Sequence, residues 1–425
     1  MSLTAILFLA LGACLLLGVP ISFAIGISAL VGLNVGDIPF TFLPQSAVTS
    51  VDSLSIMAIP FFVLAGSVMD TGGLSKRLIS VATSIVGNVT GGFGMVTVIA
   101  CAFFAAICGS SPATVAAIGA IMIPAMINRG YTVADSAAIS ACAGGLGIII
   151  PPSVNMVIYG VTAGVSISDM FLAGFLPGIL IVIVLCLLNY FIARKHKIAK
   201  SGVRFSVKTL LHSAWEAKWA LLAPVLILGG IYSGWFTPTE SAVVAVVYGL
   251  IIGTCVYKEL KWRDVPRILA EAATTTGSIV IILGLATAFG RLVSMYQIPQ
   301  QLAAGISSIT GNPYILMLMI AGIIFILGCF METLSIMIIL TPIFLPIVTA
   351  AGVDPLHFGM LMVLGAEIGM MTPPVGVNLF VASGISGGSL ERISKSMIPF
   401  ILSMVAIYIV VILVPQISTF LPSLI

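Results

Sequence analysis

Apolar runs long enough to cross a bilayer recur from Leu3 to Leu413, separated by short polar stretches. A helix needs about 20 apolar residues to span a hydrocarbon core of roughly 30 Å. Outer-membrane strands would instead alternate apolar and polar positions over about ten residues. Here the runs are continuous and rich in Ala, Leu, Ile and Gly, so the pattern predicts helices and excludes a barrel. Spans are expected at 3–18, 21–36, 54–69, 133–162, 170–193, 220–235, 242–257, 278–289, 357–386 and 397–413. The first run lacks a basic leader and continues into more apolar sequence, which reads as a retained span and not a cleaved signal.

Two further segments, 93–128 and 313–350, each hold two apolar arms around a polar tip. Arms of about 15–17 residues reach only roughly 23–26 Å at 1.5 Å per residue. Charge placement permits either two full spans or a re-entrant hairpin in each. The tips favour hairpins. Ser110, Ser111 and Thr114 in GSSPAT, and Glu332 and Thr333 in CFMETLS, are poorly placed against lipid and well placed facing a cavity.

Composition agrees with the pattern: 60% of the 425 residues are hydrophobic and 7% charged, against about 25% charged in a soluble domain. The charges orient the chain. Sixteen of 17 Lys and Arg residues fall at 76–77, 129, 194–218, 258–267 and 392–395, and Arg291 lies elsewhere. Basic loops face the cytoplasm, and one path satisfies all five groups if both termini are periplasmic. The first half, 1–193, then starts outside. A cytoplasmic basic linker follows at 194–218, and the second half, 219–425, starts inside. Each half carries one hairpin and one broken helix (133–162 and 357–386).

Residue register supports this inverted repeat. GLGIIIPPSVN (145–155) answers EIGMMTPPVGVN (367–378), and Pro151 and Pro373 lie 222 positions apart (373 − 151). The same offset pairs Pro124 with Pro346, Gly130 with Gly352 and Gly147 with Gly369. Amphipathic stripes match at a nearby offset, with Leu74, Leu78, Ala82 and Ile85 against Ile298, Leu302, Ile306 and Ile309. Such stripes suit helices lying at a membrane surface.

Inverted repeats of this kind place a transport site near the midplane, where helices are interrupted. Proline lacks an N–H, so each Pro-Pro pair removes the helical donors of carbonyls four residues earlier. Those carbonyls belong to Gly147 and Ile148, and to Gly369 and Met370. A simple kink with bonded carbonyls is the plainer reading of one pair. Two pairs in register, each followed by an Asn (Asn155, Asn378), point to an ion site instead. Glu332 is an acid at membrane depth and functional by default. Glu367 could act likewise or serve as a structural hydrogen-bond partner. TPTE (237–240) has capping-box spacing, and Arg291 could meet a partner or snorkel. The seven cysteines form no CxxC pair, the histidines are dispersed, and no phosphate-binding GxxxxGK[ST] is present.

The stretches SLSIMAIPFFVLAGSVMDTGGLSKRL, GSSPAT and GIYSGWFTPTESAVVAVVYGL, with both Pro-Pro breaks, resemble one family across nearly the whole chain. It is the large membrane subunit of tripartite ATP-independent periplasmic (TRAP) transporters. The resemblance implies an all-α, elevator-type fold in a bacterial inner membrane. It also implies sodium-coupled uptake of small organic acids, a separate four-span membrane subunit and a periplasmic substrate-binding protein. The moving unit would be 93–162 and 313–386, against a scaffold of the remaining spans. Sodium would sit on backbone oxygens around Gly109, Gly147, Ile150 and Pro152, and around Gly328, Gly369, Thr372 and Val375. The substrate, a small anion with sialic acid the first expectation, would meet Ser110, Ser111, Thr114, Asn155, Glu332, Thr333 and Asn378. The alternative is a stand-alone sodium–carboxylate symporter of related fold. No enzyme chemistry, cofactor or nucleic-acid partner is expected.

Overall fold

The computed structural model describes residues 3–86, 89–196, 198, 206–298, 300–301 and 312–424, which are helical almost throughout. Five helices are long and apolar enough to cross a membrane, and three sharply bent helix pairs bring the total to eight if each pair is one span. The expected spans at 3–18, 21–36 and 357–386 appear as shorter apolar helices outside these eight, whereas Thr333–Ala350, an arm of the second expected hairpin, is one of the five because its 18 residues exceed the expected arm length.

Leu3–Leu16 and Ile21–Val35 pack as an antiparallel pair, tied where the Ser28 hydroxyl donates to the Leu7 carbonyl at 2.6 Å. The third span, Ala58–Thr71, turns 70° into Leu74–Val86. Gly73 makes that turn at φ +80°, and a β-carbon there would collide with the Glu259 carboxylate. The surface helix buries Leu74, Leu78 and Ala82 as its stripe requires, but Ile85 in the last turn projects outward. Of the matching stripe only Ile298 is described, and it is buried; Leu302, Ile306 and Ile309 lie outside the described residues.

The first hairpin runs Gly92–Cys108 and Ser111–Ile127, reversing at Gly109 (φ +66°). A broken helix follows: Val133–Gly144, Leu146–Ile149 and Val154–Ala163, bent by 42°. Its start is capped by the Thr132 hydroxyl, which accepts the Asp135 N–H at 3.0 Å. It stops at Pro151 and Pro152, which have no N–H to offer. Ile167–Lys195 then returns as 29 residues with Asp169 in its first turn and Arg194 and Lys195 in its last, each charge placed to suit the helix dipole.

The second half repeats the plan. Lys218–Tyr232 and Pro238–Ile251 are joined by the expected capping box. There the Glu240 N–H donates to the Thr237 hydroxyl at 3.2 Å, and the Thr237 N–H donates to the Glu240 carboxylate at 2.8 Å. The second hairpin is Pro313–Gly328 and Thr333–Ala350, and the second broken helix is Pro355–Met370 and Val377–Ser386. Leu390–Leu413 closes the bundle. Three elements depart from expectation. The span placed at 278–289 is the inner part of a 31-residue helix, Val265–Met295. A short helix, Phe42–Val51, occupies an expected loop, and Val207–Glu216 forms within the basic linker, whose Lys197, Lys200 and Arg204 lie outside the described residues.

Basic groups distant in sequence meet at one face. Lys76 and Arg77 bind Glu259 at 2.8 and 2.6 Å, and Arg77 also covers the Tyr257 ring. Within the first half, His196 at the end of Ile167–Lys195 lies 3.4 Å from Asp135 in the first turn of Val133–Gly144. A helix length away, Thr239 donates to the Leu54 carbonyl, Tyr296 to Gly32 and Tyr159 to Pro355.

Candidate functional site

Each hairpin tip is bonded to the break of its own half. The Val154 N–H donates to the Gly109 carbonyl at 3.3 Å, and the Val375 N–H donates to the Cys329 carbonyl at 3.1 Å. The two bonds are alike in kind but sit one and two positions off the 222-residue register (375 − 154 = 221; 329 − 109 = 220). They set each tip at the level of a break in the middle of a crossing helix, so the hairpins turn back there. Glycines allow the approach. A β-carbon on Gly109 would come within 2.7 Å of the Pro152 carbonyl oxygen. One on Gly147 would press on the Ser110 carbonyl and lie 2.6 Å from the Thr114 hydroxyl. One on Gly328 would lie 2.9 Å from the Gly369 α-carbon and 3.1 Å from the Ala366 carbonyl oxygen.

The oxygens at these two junctions are the carbonyls of Pro152, Ser110 and Ala366 and the Thr114 hydroxyl, with no carboxylate among them. That donor set suits a hard cation such as sodium, and no cluster of three or more His, Cys, Asp or Glu suited to a metal occurs among the described residues. The proline argument holds only in part for Gly369. Its carbonyl accepts the Thr372 N–H at 2.9 Å, because a tighter three-residue turn replaces the lost four-residue bond. Thr372 is further held by its hydroxyl, which donates to the Ile368 carbonyl at 2.6 Å.

A second set of bonds crosses between the halves. The Asn155 amide donates to the Thr333 hydroxyl at 2.7 Å, and the Asn378 amide donates to the Ser111 hydroxyl at 2.7 Å. Ser111 and Thr333 each open the returning arm of a hairpin and stand 222 positions apart (333 − 111). Each Asn after a break thus grips the hairpin of the opposite half. The symmetry ends at Glu367. Its carboxylate accepts from Ser111 at 3.0 Å and from Asn378 at 2.7 Å, fully buried. The position 222 residues earlier is Gly145, which leaves room for that carboxylate. One Glu367 oxygen is thus held by Ser111 and Asn378, while its other oxygen is buried without a partner among the described residues and Glu332 is exposed.

Both hairpin tips open onto one cavity of about 410 Å³. Of the expected substrate residues, Ser110, Ser111, Asn155, Glu332 and Thr333 line it, together with Gly109 from the first ion group. Thr114 lies behind Ser110, buried, with its hydroxyl bonded to the Ser110 carbonyl at 2.7 Å. Asn378 is walled off by its bonds to Ser111 and Glu367. Gly147, Pro152, Gly328, Gly369, Thr372 and Val375 sit at the tip–break junctions and not on the cavity wall. Ile150 turns its side chain toward Gly178 of the long return helix. Three polar lining residues stand outside the expected set: Ser67 and Asp70 of the third span and Thr275 of the 31-residue helix. Asp70, an acid closing an apolar run, was a readable signal. Thr275 lies before the expected span 278–289, in the part of the helix that the apolar run does not cover. The wall carries two carboxylates, Asp70 and Glu332, and no Lys, Arg or His.

Hairpin tips seated on broken helices, duplicated and exchanged across one cavity, define a membrane carrier with an internal repeat. The chain belongs to the family described as "Tripartite ATP-independent periplasmic transporter, DctM component", which it matches over residues 8–417. It is 46% identical to the isethionate TRAP transporter permease protein DctMQ of Oleidesulfovibrio alaskensis, covering 96% of this chain and 64% of that longer protein. It is 39% identical to the C4-dicarboxylate large permease DctM of Rhodobacter capsulatus, over 99% of this chain and 98% of that one. With the sialic acid large permease SiaM of Vibrio cholerae it shares 35% identity, over 96% and 95%. Among solved structures, the YdaH transporter of Alcanivorax borkumensis shares the fold at a TM-score of 0.65 and 14% identity, covering 88% of this chain and 87% of that one. The protein is a multi-pass transporter subunit, not an enzyme.

Proposed function

We propose that this chain is the permease of a sodium-coupled importer for a small organic anion, working with a small membrane subunit and a periplasmic binding protein. The cavity wall supports the coupling most directly. An anion entering beside Asp70 and Glu332 meets two acidic side chains and no Lys, Arg or His, so nothing on the wall balances its charge unless cations enter with it. Oxygen-rich junctions stand directly behind both tips, one per half, where sodium would supply that charge. Basic loops, read as cytoplasmic, support a location in a bacterial inner membrane with both termini periplasmic. The hairpins and broken helices would slide as one unit against the remaining helices.

For the substrate, the identities to permeases named for isethionate (46%) and C4-dicarboxylates (39%) rank a small acid ahead of sialic acid (35%). Reconstitution with the small subunit, with and without the binding protein, tests the reading. Isethionate, succinate and sialic acid are offered in turn under an inward sodium gradient. Uptake of one of them that needs the binding protein is expected. Transport by this chain alone would replace the tripartite reading with a stand-alone symporter.

A further inference from the structure

The helix Val265–Met295 borders two cavities. Thr275 and Ile279 line the central one, whereas Thr287, Arg291 and Ser294 line a second cleft of about 630 Å³. Thr275 and Arg291 are separated by roughly 24 Å along the helix axis at 1.5 Å per residue. The opposite wall of the second cleft is Thr162, Ile338 and Pro342, from the first broken helix and the second hairpin. Both cavities therefore lie between the same two bodies, and the second opens at the face away from the basic clusters.

Arg291 is the one Lys or Arg outside those clusters. Its guanidinium donates to the Ser46 hydroxyl at 3.2 Å, and no carboxylate pairs with it among the described residues. Arg291 is exposed at the cleft, where its charge is open to an incoming ligand, and its planar fork matches carboxylate or sulfonate oxygens. Hydroxyls of Ser50, Thr287 and Ser294 surround the same space.

We propose that this cleft is an outer anion station, where Arg291 takes the carboxylate or sulfonate of the incoming substrate before the hairpin tips do. The proposal deepens the function argued above and rests on it for the ligand's class. The pathway is then electrically polarised. Its outer end attracts an anion through Arg291, and its central cavity, with Asp70 and Glu332, admits one only with cations. Arg291 stands on the long helix and on neither hairpin, so the anion leaves it as the tips take over.

Charge-selective thiol labelling tests the station without any need for transport. Ser294→Cys is placed in a Cys255→Ser background, with the small subunit, in right-side-out vesicles. Labelling at position 294 by impermeant anionic (sulfonatoethyl) and cationic (trimethylammonioethyl) methanethiosulfonates is followed by mass spectrometry. With Arg291 present the anionic reagent is favoured. Arg291→Gln should lower the anionic-to-cationic rate ratio by about fivefold or more, and Arg291→Lys should keep most of it. Millimolar isethionate should slow labelling only when the cation is present. Arg291→Met serves as a second neutral variant if Arg291→Gln does not accumulate. A rate ratio unchanged in the neutral variants, or no preference for the anionic reagent to begin with, overturns the station. If none of the three acids is taken up, the organic-acid reading fails separately, because the labelling ratio is still measured.

Discussion

Asn155 and Asn378 join the two halves by one repeated exchange, each amide reaching the first residue of the opposite hairpin's returning arm. Interhelical bonds inside membranes average about 0.6 kcal/mol and reach about 1.7. A double-mutant cycle on Asn155→Ala and Thr333→Val, read by unfolding in mixed micelles, should return a coupling in that range. No coupling would mean that the bond does not hold the hairpin. Gly369→Ala is the sharper probe. Its β-carbon would strike the Gly328 backbone, and overpacking of this kind costs about 1–3 kcal/mol. The variant should melt earlier and need several-fold more sodium for half-maximal uptake; unchanged sodium dependence would remove this junction from the ion site. Gly369, Pro373 and Asn378 were legible because the repeat marks each of them twice. The Ser111–Thr333 pairing was legible by the same offset, though only the structure shows what each hydroxyl grips. Thr275 belongs to the opposing wall, and no periodicity records which residues of one helix face another; Asp70 is visible in the sequence only as an acid ending an apolar run.

The surface helix Leu74–Val86 is pinned by Glu259 from the second half, through Lys76 and Arg77. Burial pushes the Glu259 carboxyl up, but hydrogen bonds and charge from Lys76 and Arg77 outweigh it and hold it below the usual range. A carboxylate depressed on folding stabilises above its unfolded pKa, and that contribution is lost as pH falls through the folded one. Wild type should therefore lose melting temperature relative to Glu259→Gln as pH drops from 7 toward 4, and high salt should shrink the difference. Parallel pH curves for the two proteins would show that the tie contributes nothing. Elements with long apolar runs were legible from hydrophobicity alone. Phe42–Val51 was not, because its run is short and holds Pro44, Gln45 and two serines. The inner half of Val265–Met295 carries the polar stretch TTTGS, which reads as a loop until the cavity it borders is seen.

At the scale of the whole molecule, two junctions of like construction flank one cavity. If two sodium ions accompany a monoanion, each cycle moves net positive charge inward, and the membrane potential assists by about 2.3 kcal/mol per charge per 100 mV. Substrate-dependent inward current in a reconstituted bilayer should then grow with negative internal potential; electroneutral uptake would exclude that stoichiometry. The claim that each half supplies one ion site is tested most directly by the sodium dependence of initial uptake rate in the complete reconstituted transporter. Wild type should rise with a Hill coefficient of about two, bounded by the number of sites, and Gly369→Ala should fall to about one over the same range. Uptake independent of sodium, or a Hill coefficient of one already in the wild type, would contradict the account.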